Sequence, residues 1–186
     1  MNRGILFASI IAFAWSGLGL ACRNPANEAQ IRTVDSMITS LEAAKLTLNE
    51  LDRIRYDRAA ALYRSDSSRF IARFADTLDR STAERLGNHF RVLRAAANIG
   101  ADHSLVGEDL ASSKERLLAL RNDMENGALN EEGTHQALLN ETRIVDALDG
   151  QVQQVIVNYR AVQRAWDDLA TVDSLLAASP RNTQLP

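Results

Sequence analysis

Few residues in this chain have the type and spacing to do chemistry, and they are quickly enumerated. There are three histidines, His89, His103 and His135, each in a different segment. Glu132-Gly133-Thr134-His135 matches the Glu-x-x-His pattern with which helical bundles hold paired metal ions, but such sites need a second pair and further inward glutamates. No second pair occurs, and this one falls in the first turn of its helix, so no metal site is expected. His103 stands beside Asp102 in an expected interhelical turn, which reads as a solvated cap. The acidic pairs Glu108-Asp109, Glu131-Glu132 and Asp167-Asp168 are sequence neighbours, so each pair points to different helical faces. The first two suit helix N-termini, where negative charge is favourable; the third flanks a core seam as a solvated face. Glycine-rich phosphate loops and serine-centred nucleophile motifs are missing. The expectation is a protein that is not an enzyme and needs no cofactor.

That leaves Cys22, the only cysteine. Met1-Asn2-Arg3 is a basic start, and Ile5 to Trp15 is apolar apart from Ser9. Gly17-Leu18-Gly19-Leu20-Ala21 then leads into the cysteine. A basic start, an apolar run of about ten residues and a small residue before the cut are the parts of a secretory signal. Gly19-Leu20-Ala21-Cys22 resembles the end of a bacterial lipoprotein signal, although Gly19 stands where such signals usually carry leucine. The resemblance implies cleavage before Cys22 and acylation of its sulfur, usually with a further chain on its nitrogen. One chain holds a protein only marginally at a membrane, whereas two anchor it stably. Two alternatives stay open: an uncleaved anchor, since Gly4 to Ala21 approaches the roughly 20 residues of a membrane helix, and an ordinary buried thiol. Arg23, where aspartate would retain a proteobacterial lipoprotein in the inner membrane, implies an outer-membrane position facing the periplasm.

Charge narrows the partners. The 186 residues carry a formal net charge of −3. Losing residues 1–21 removes one positive charge, Arg3, and leaves −4. Charges of both signs are interspersed, and the arginines form no stripe, so nucleic acid is not an expected partner. Of 21 basic residues only Lys45 and Lys114 are lysine.

The elements that carry these residues read as helix throughout. Prolines are confined to positions 25, 180 and 186, good helix formers dominate, and period-two alternation is missing. The expected organisation is a signal over 1–21, a tether over 22–27, a helical domain over 28–179 and a polar tail over 180–186. Within the domain the first helix is expected from Glu28 to Tyr63, ending at Ser65-Asp66-Ser67-Ser68. The second runs from Arg69 to Asn98, broken near Asp79, with a capping box at Ser81-Thr82-Ala83-Glu84 and a stop at Gly100. The third runs from Ser104 to Asn126 and ends at Gly127, with Asn130 capping the next.

The last helix, Glu131 to Ala178, repeats apolar residues with a seven-residue period. Leu138, Val145, Val152, Tyr159 and Trp166 alternate with Leu148, Val155, Val162, Leu169 and Leu176. It is expected to be the longest element and the spine. An all-α, elongated antiparallel bundle of three or four helices follows, with intermolecular coiled-coil pairing through the same seam as the alternative.

The segment Leu120-Arg121-Asn122-Asp123-Met124-Glu125-Asn126-Gly127, continuing to Asn130-Glu131-Glu132, is similar to a helical-hairpin signature. It is found in uncharacterised helical lipoproteins of Bacteroidota and related bacteria. The resemblance covers about the last 70 residues and implies an envelope location and a helical fold, without an activity. The functional expectation is a lipid-anchored envelope scaffold that docks an envelope protein, with a periplasmic small-molecule-binding or sensing bundle as the alternative.

Overall fold

The computed structural model describes residues 25–74 and 78–177. Cys22, the signal and the 180–186 tail lie outside the described residues. Five helices follow in order: α1 (Pro25–Asn49), α2 (Ile54–Phe74), α3 (Arg80–Glu125), α4 (Glu131–Asp167) and α5 (Leu169–Ala177). No strand occurs among the described residues. The fold is an all-α antiparallel bundle.

The five helices make three rods. Cross-helix pairs fix the directions: Asp35 meets Arg121, Glu42 meets Lys114 and Tyr56 meets His103, so α1 and then α2 run antiparallel to α3. Arg116 meets Glu141 and Arg85 meets Asp168, so α4 returns antiparallel on the other side. The α1–α2 and α4–α5 rods therefore run parallel to each other, as Thr142 beside Met37 and Asp173 beside Arg69 require. At 1.5 Å per residue the 46 residues of α3 span about 70 Å.

α3, rather than α4, is the longest helix and the spine: its contacts with α1, α2 and α4 are the most extensive between helices. The expected stop at Gly100 does not occur. The seam Leu86, Phe90, Leu93, Ala96, His103, Val106, Leu110, Ser113, Leu117, Leu120, Met124 is buried along the whole helix. It passes through Gly100, where a Cβ would come within 3.1 Å of the Tyr56 Cβ. The glycine lets α2 approach α3 closely, a packing role that a sequence reading mistakes for a stop.

Other boundaries also shift. α1 starts at Pro25, whose fixed φ suits the first turn of a helix. The first rod breaks at Glu50–Arg53 instead of near Ser65, with the Asp52 side chain accepting from the Ile54 backbone N–H at 3.0 Å. Ser65 and Ser67 lie inside α2, their hydroxyls donating to the carbonyls of Leu62 and Arg64, so they are accommodated in a helix they were expected to end. α3 starts at Arg80, and its cap lies two residues before Ser81, the expected capping residue. Asp79 is the N-cap, accepting from the Thr82 backbone N–H at 3.0 Å and from the hydroxyls of Ser81 and Thr82.

The α3–α4 hairpin forms as its sequence indicates. Gly127 adopts φ +64°, and its N–H donates to the Met124 carbonyl while that of Ala128 donates to the Asp123 carbonyl, the paired bonds of a Schellman stop. Asn130 caps α4 through the Gly133 N–H at 2.8 Å. The long heptad helix is interrupted at one residue, Asp168, and hydrogen bonds from Asp168 to Arg164 and from Val172 to Asp168 carry the chain across it.

Candidate functional site

Two arrangements of polar side chains are built into the half of the bundle away from the α3–α4 hairpin. The first lies where the α1–α2 break crosses α3. His103 sits in the middle of α3 and is 4 % exposed, so it is a core residue and not the solvated cap its neighbour Asp102 suggested. The Tyr56 hydroxyl and His103 Nδ1 are 3.2 Å apart. The rings of Tyr56 and His103 meet edge-on at 5.7 Å, and Tyr159 of α4 closes on Tyr56 from the other side at 5.8 Å. Burial and the neighbouring Arg53 guanidinium lower the His103 pKa, with the Leu48 carbonyl at the end of α1 opposing them. Burial pushes the Tyr56 pKa up to about 12, with Tyr159 adding to it and Arg53 opposing it. Both groups are neutral near pH 7, and Arg53 reaches past them to the Ser104 hydroxyl. This cluster clasps the break: it ties the end of α1 and the start of α2 to one point on α3.

The second arrangement is a cleft between α3 and α4 beside Asp168. Arg85, Asn88, His89 and Val92 line one side, and Ala161, Arg164, Ala165 and Asp168 the other, around about 250 Å³. Arg85 grips Asp168 through two nitrogens, at 2.6 and 3.3 Å. That contact holds the Asp168 carboxyl below its ordinary pKa and raises that of Arg85. His89 is 6 % exposed, lines the cleft, and makes no hydrogen bond within the described residues. Burial lowers its pKa against the opposing pull of Asp168, Asp173 and Asp66. Val92, Ala161 and Ala165 give the cleft an apolar floor, so it combines one neutral imidazole with a guanidinium–carboxylate pair at its rim.

The remaining candidates from the sequence are scattered. Glu132 and His135 are exposed in the first turn of α4, and Glu132 accepts from Gln136 Nε2 at 2.9 Å. No three of the described histidines, cysteines, aspartates and glutamates converge on a common point that would hold a metal ion. Glu108 and Asp109 lie mid-helix in α3 and not at an N-terminus, whereas Glu131 and Glu132 do open α4. Asp168 is paired with Arg85 across helices instead of being a free solvated charge. Sequence reasoning missed the Tyr56–His103 clasp altogether. Its one visible signal was the Asn49-to-Asp52 stretch, whose aspartate caps α2.

No family model matches the chain, and neither a curated protein nor a solved structure matches it.

Proposed function

We propose that the chain is a lipid-anchored cell-envelope protein whose helical rod is a scaffold or docking surface for other envelope proteins. The observation that carries the reading is the polarity of the rod. α1 starts at Pro25, level with the α3–α4 hairpin, while the α2–α3 connection and α5 lie at the other end. Three residues of chain from Cys22 span at most about 11 Å. An acyl group on Cys22 would therefore hold the hairpin end against the membrane and carry the α5 end about 70 Å into the periplasm. A rod mounted at its tip presents long flanks to neighbouring proteins. The lipoprotein-like signal and the resemblance to helical lipoproteins of Bacteroidota support the same reading, and Arg23 favours the outer membrane. No described helix is long and apolar enough to cross a membrane, which fits a body held by lipid alone.

Affinity purification of the native protein after mild crosslinking of intact cells tests this reading. It predicts one envelope protein recovered reproducibly; recovery of the protein alone would contradict it.

The His89 cleft supports the second reading, a periplasmic small-molecule-binding or sensing bundle. A buried imidazole that makes no hydrogen bond within the described residues is a donor and acceptor placed for a ligand, although about 250 Å³ is at the small end for such sites. Under this reading a thermal-shift screen with lipids, haem and small carboxylates would give a rise in Tm that His89→Ala abolishes; a flat screen would leave the cleft as packing.

A further inference from the structure

Two open grooves adjoin along different flanks of α3, one beside residues 110–114 and the other beside residues 102–109, and their linings differ in sign. The groove between α1 and α3, about 380 Å³, is lined by Glu42, Lys45, Leu46, Asn49, Ala111 and Lys114 over a floor of Leu41 and Leu110. It holds both lysines of the chain. Lys114 is paired with Glu42 at 2.5 Å, and Lys45 has no ion pair among the described residues. The groove between α3 and α4, about 300 Å³, is lined by Asp102, Leu105, Asp109, Gln151, Gln154 and Asn158 over Val106 and Val155. No cation lines it, and neither aspartate has an ion pair among the described residues.

Each groove also carries an exposed leucine that its own bundle leaves uncovered, Leu46 at 66 % and Leu105 at 57 %. The pairing of Glu42 with Lys114 puts Lys45 level with residue 111 of α3, one turn or less from Asp109.

We infer that a second copy of this chain occupies these grooves, the α1–α3 flank of one rod lying against the α3–α4 flank of the next. Lys45 of one copy, with Lys114 beside it, faces Asp109 of the other, and the two exposed leucines are covered together. The register rests on the proposed anchor: copies held by Cys22 stand parallel at equal depth, which places Lys45, level with residue 111, beside Asp109 of the next rod. The contact is heterologous, because different patches meet, so it propagates around a ring or along a row.

The test is zero-length carbodiimide coupling of the full acylated chain in phospholipid vesicles. Unlabelled and nitrogen-15-labelled copies are mixed, and crosslinked peptides are read by mass spectrometry. Lysines 45 and 114 are the only lysyl amines, so the number of products is small. The Lys114–Glu42 bond within a chain is the internal control for folding and coupling. The inference predicts mixed-isotope peptides joining Lys45 or Lys114 to Asp109. Lys45→Asp removes one of the two amines and sets like charges against one another, so the remaining Lys114 peptides are expected to fall about tenfold, and adding Asp109→Lys in the same chain to restore coupling between positions 45 and 109. Both residues are exposed, so the variants keep their fold. Control peptides without mixed-isotope peptides, or mixed-isotope coupling that Lys45→Asp leaves unchanged, would overturn the inference. The intact mass of the same sample reports acylation separately, so failure of the anchor is distinguishable from failure of the contact.

Discussion

The two halves of the bundle are held together by different chemistry. In the half near the hairpin, the core is almost entirely aliphatic: Ile31, Val34, Leu41 and Leu48 of α1 interlock with Leu110, Leu117 and Leu120 of α3 and Val152 and Val155 of α4. In the other half the core is built from small residues and rings. Ala59, Ala60, Ala96 and Ala165 let the helices close around Tyr56, while Phe70 stacks on Phe90 at 4.1 Å and His89 and His103 are buried beside them. The rod breaks that fall within the described helices, at Glu50–Arg53 and at Asp168, sit at the start of this second half or inside it. Aliphatic packing is non-directional and tolerates one straight seam, whereas ring contacts and polar pairs fix local geometry and accommodate helix breaks. The hairpin half is thus suited to stiffness, and the far half to shaped, titratable surfaces.

The largest effect that would break this contrast is a cavity in the aliphatic half. Leu117, fully buried, should lose about 3 kcal/mol on change to alanine, measured by chemical denaturation. A loss below about 1 kcal/mol would mean that this half is as adaptable as the other. Gly100 and Gly107 of α3 sharpen the comparison at the boundary. Gly100→Val would drive α2 away from α3, because the obstacle is the Tyr56 Cβ and not a flexible tip; a loss of about 2 kcal/mol is expected. Gly107→Ala meets open space and should stabilise by about 0.5–1 kcal/mol through helix propensity. Equal effects at the two sites would contradict the close approach assigned to Gly100.

Smaller effects probe the clasp. Tyr56→Phe removes the hydroxyl opposite His103 Nδ1 and should cost about 1 kcal/mol. The pH dependence follows from the two buried histidines, whose folded pKa values lie below the ordinary 6.5 because burial disfavours the imidazolium. As pH falls below 6.5 the unfolded chain takes up these protons first, so stability falls with pH until the folded values are passed. The midpoint of denaturation should drop between pH 7 and pH 5, and the double change His89→Gln with His103→Gln should flatten that slope. An unchanged slope would show that neither imidazole is held neutral by the fold.

The same division explains what the sequence made legible. The aliphatic half was readable: the heptads of α4, the Gly127 stop and the Asn130 cap are local signals, and the structure uses them as such. The far half was not. The α3 seam continues through Ala96, Gly100 and His103, none of which reads as a core position, so one helix of 46 residues looked like two. The serines at 65, 67 and 68 carry turn chemistry, but Ser65 and Ser67 satisfy their hydroxyls inside α2. Tyr159 and Trp166, on the apolar heptad positions of the last helix, are only half-buried. Of the site residues, His103 and His89 were visible as types but not as places, since burial and cross-helix neighbours are properties of the assembled bundle. The meaning of Cys22 rests on the signal before it.

The anchor at Cys22 is the claim on which the orientation of the rod and the scaffold reading depend, and the intact mass of the protein extracted from native membranes tests it most directly. The account predicts a mature chain that starts at Cys22 and carries two or three acyl chains. An unprocessed chain starting at Met1, or a processed chain without acyl mass, would contradict it.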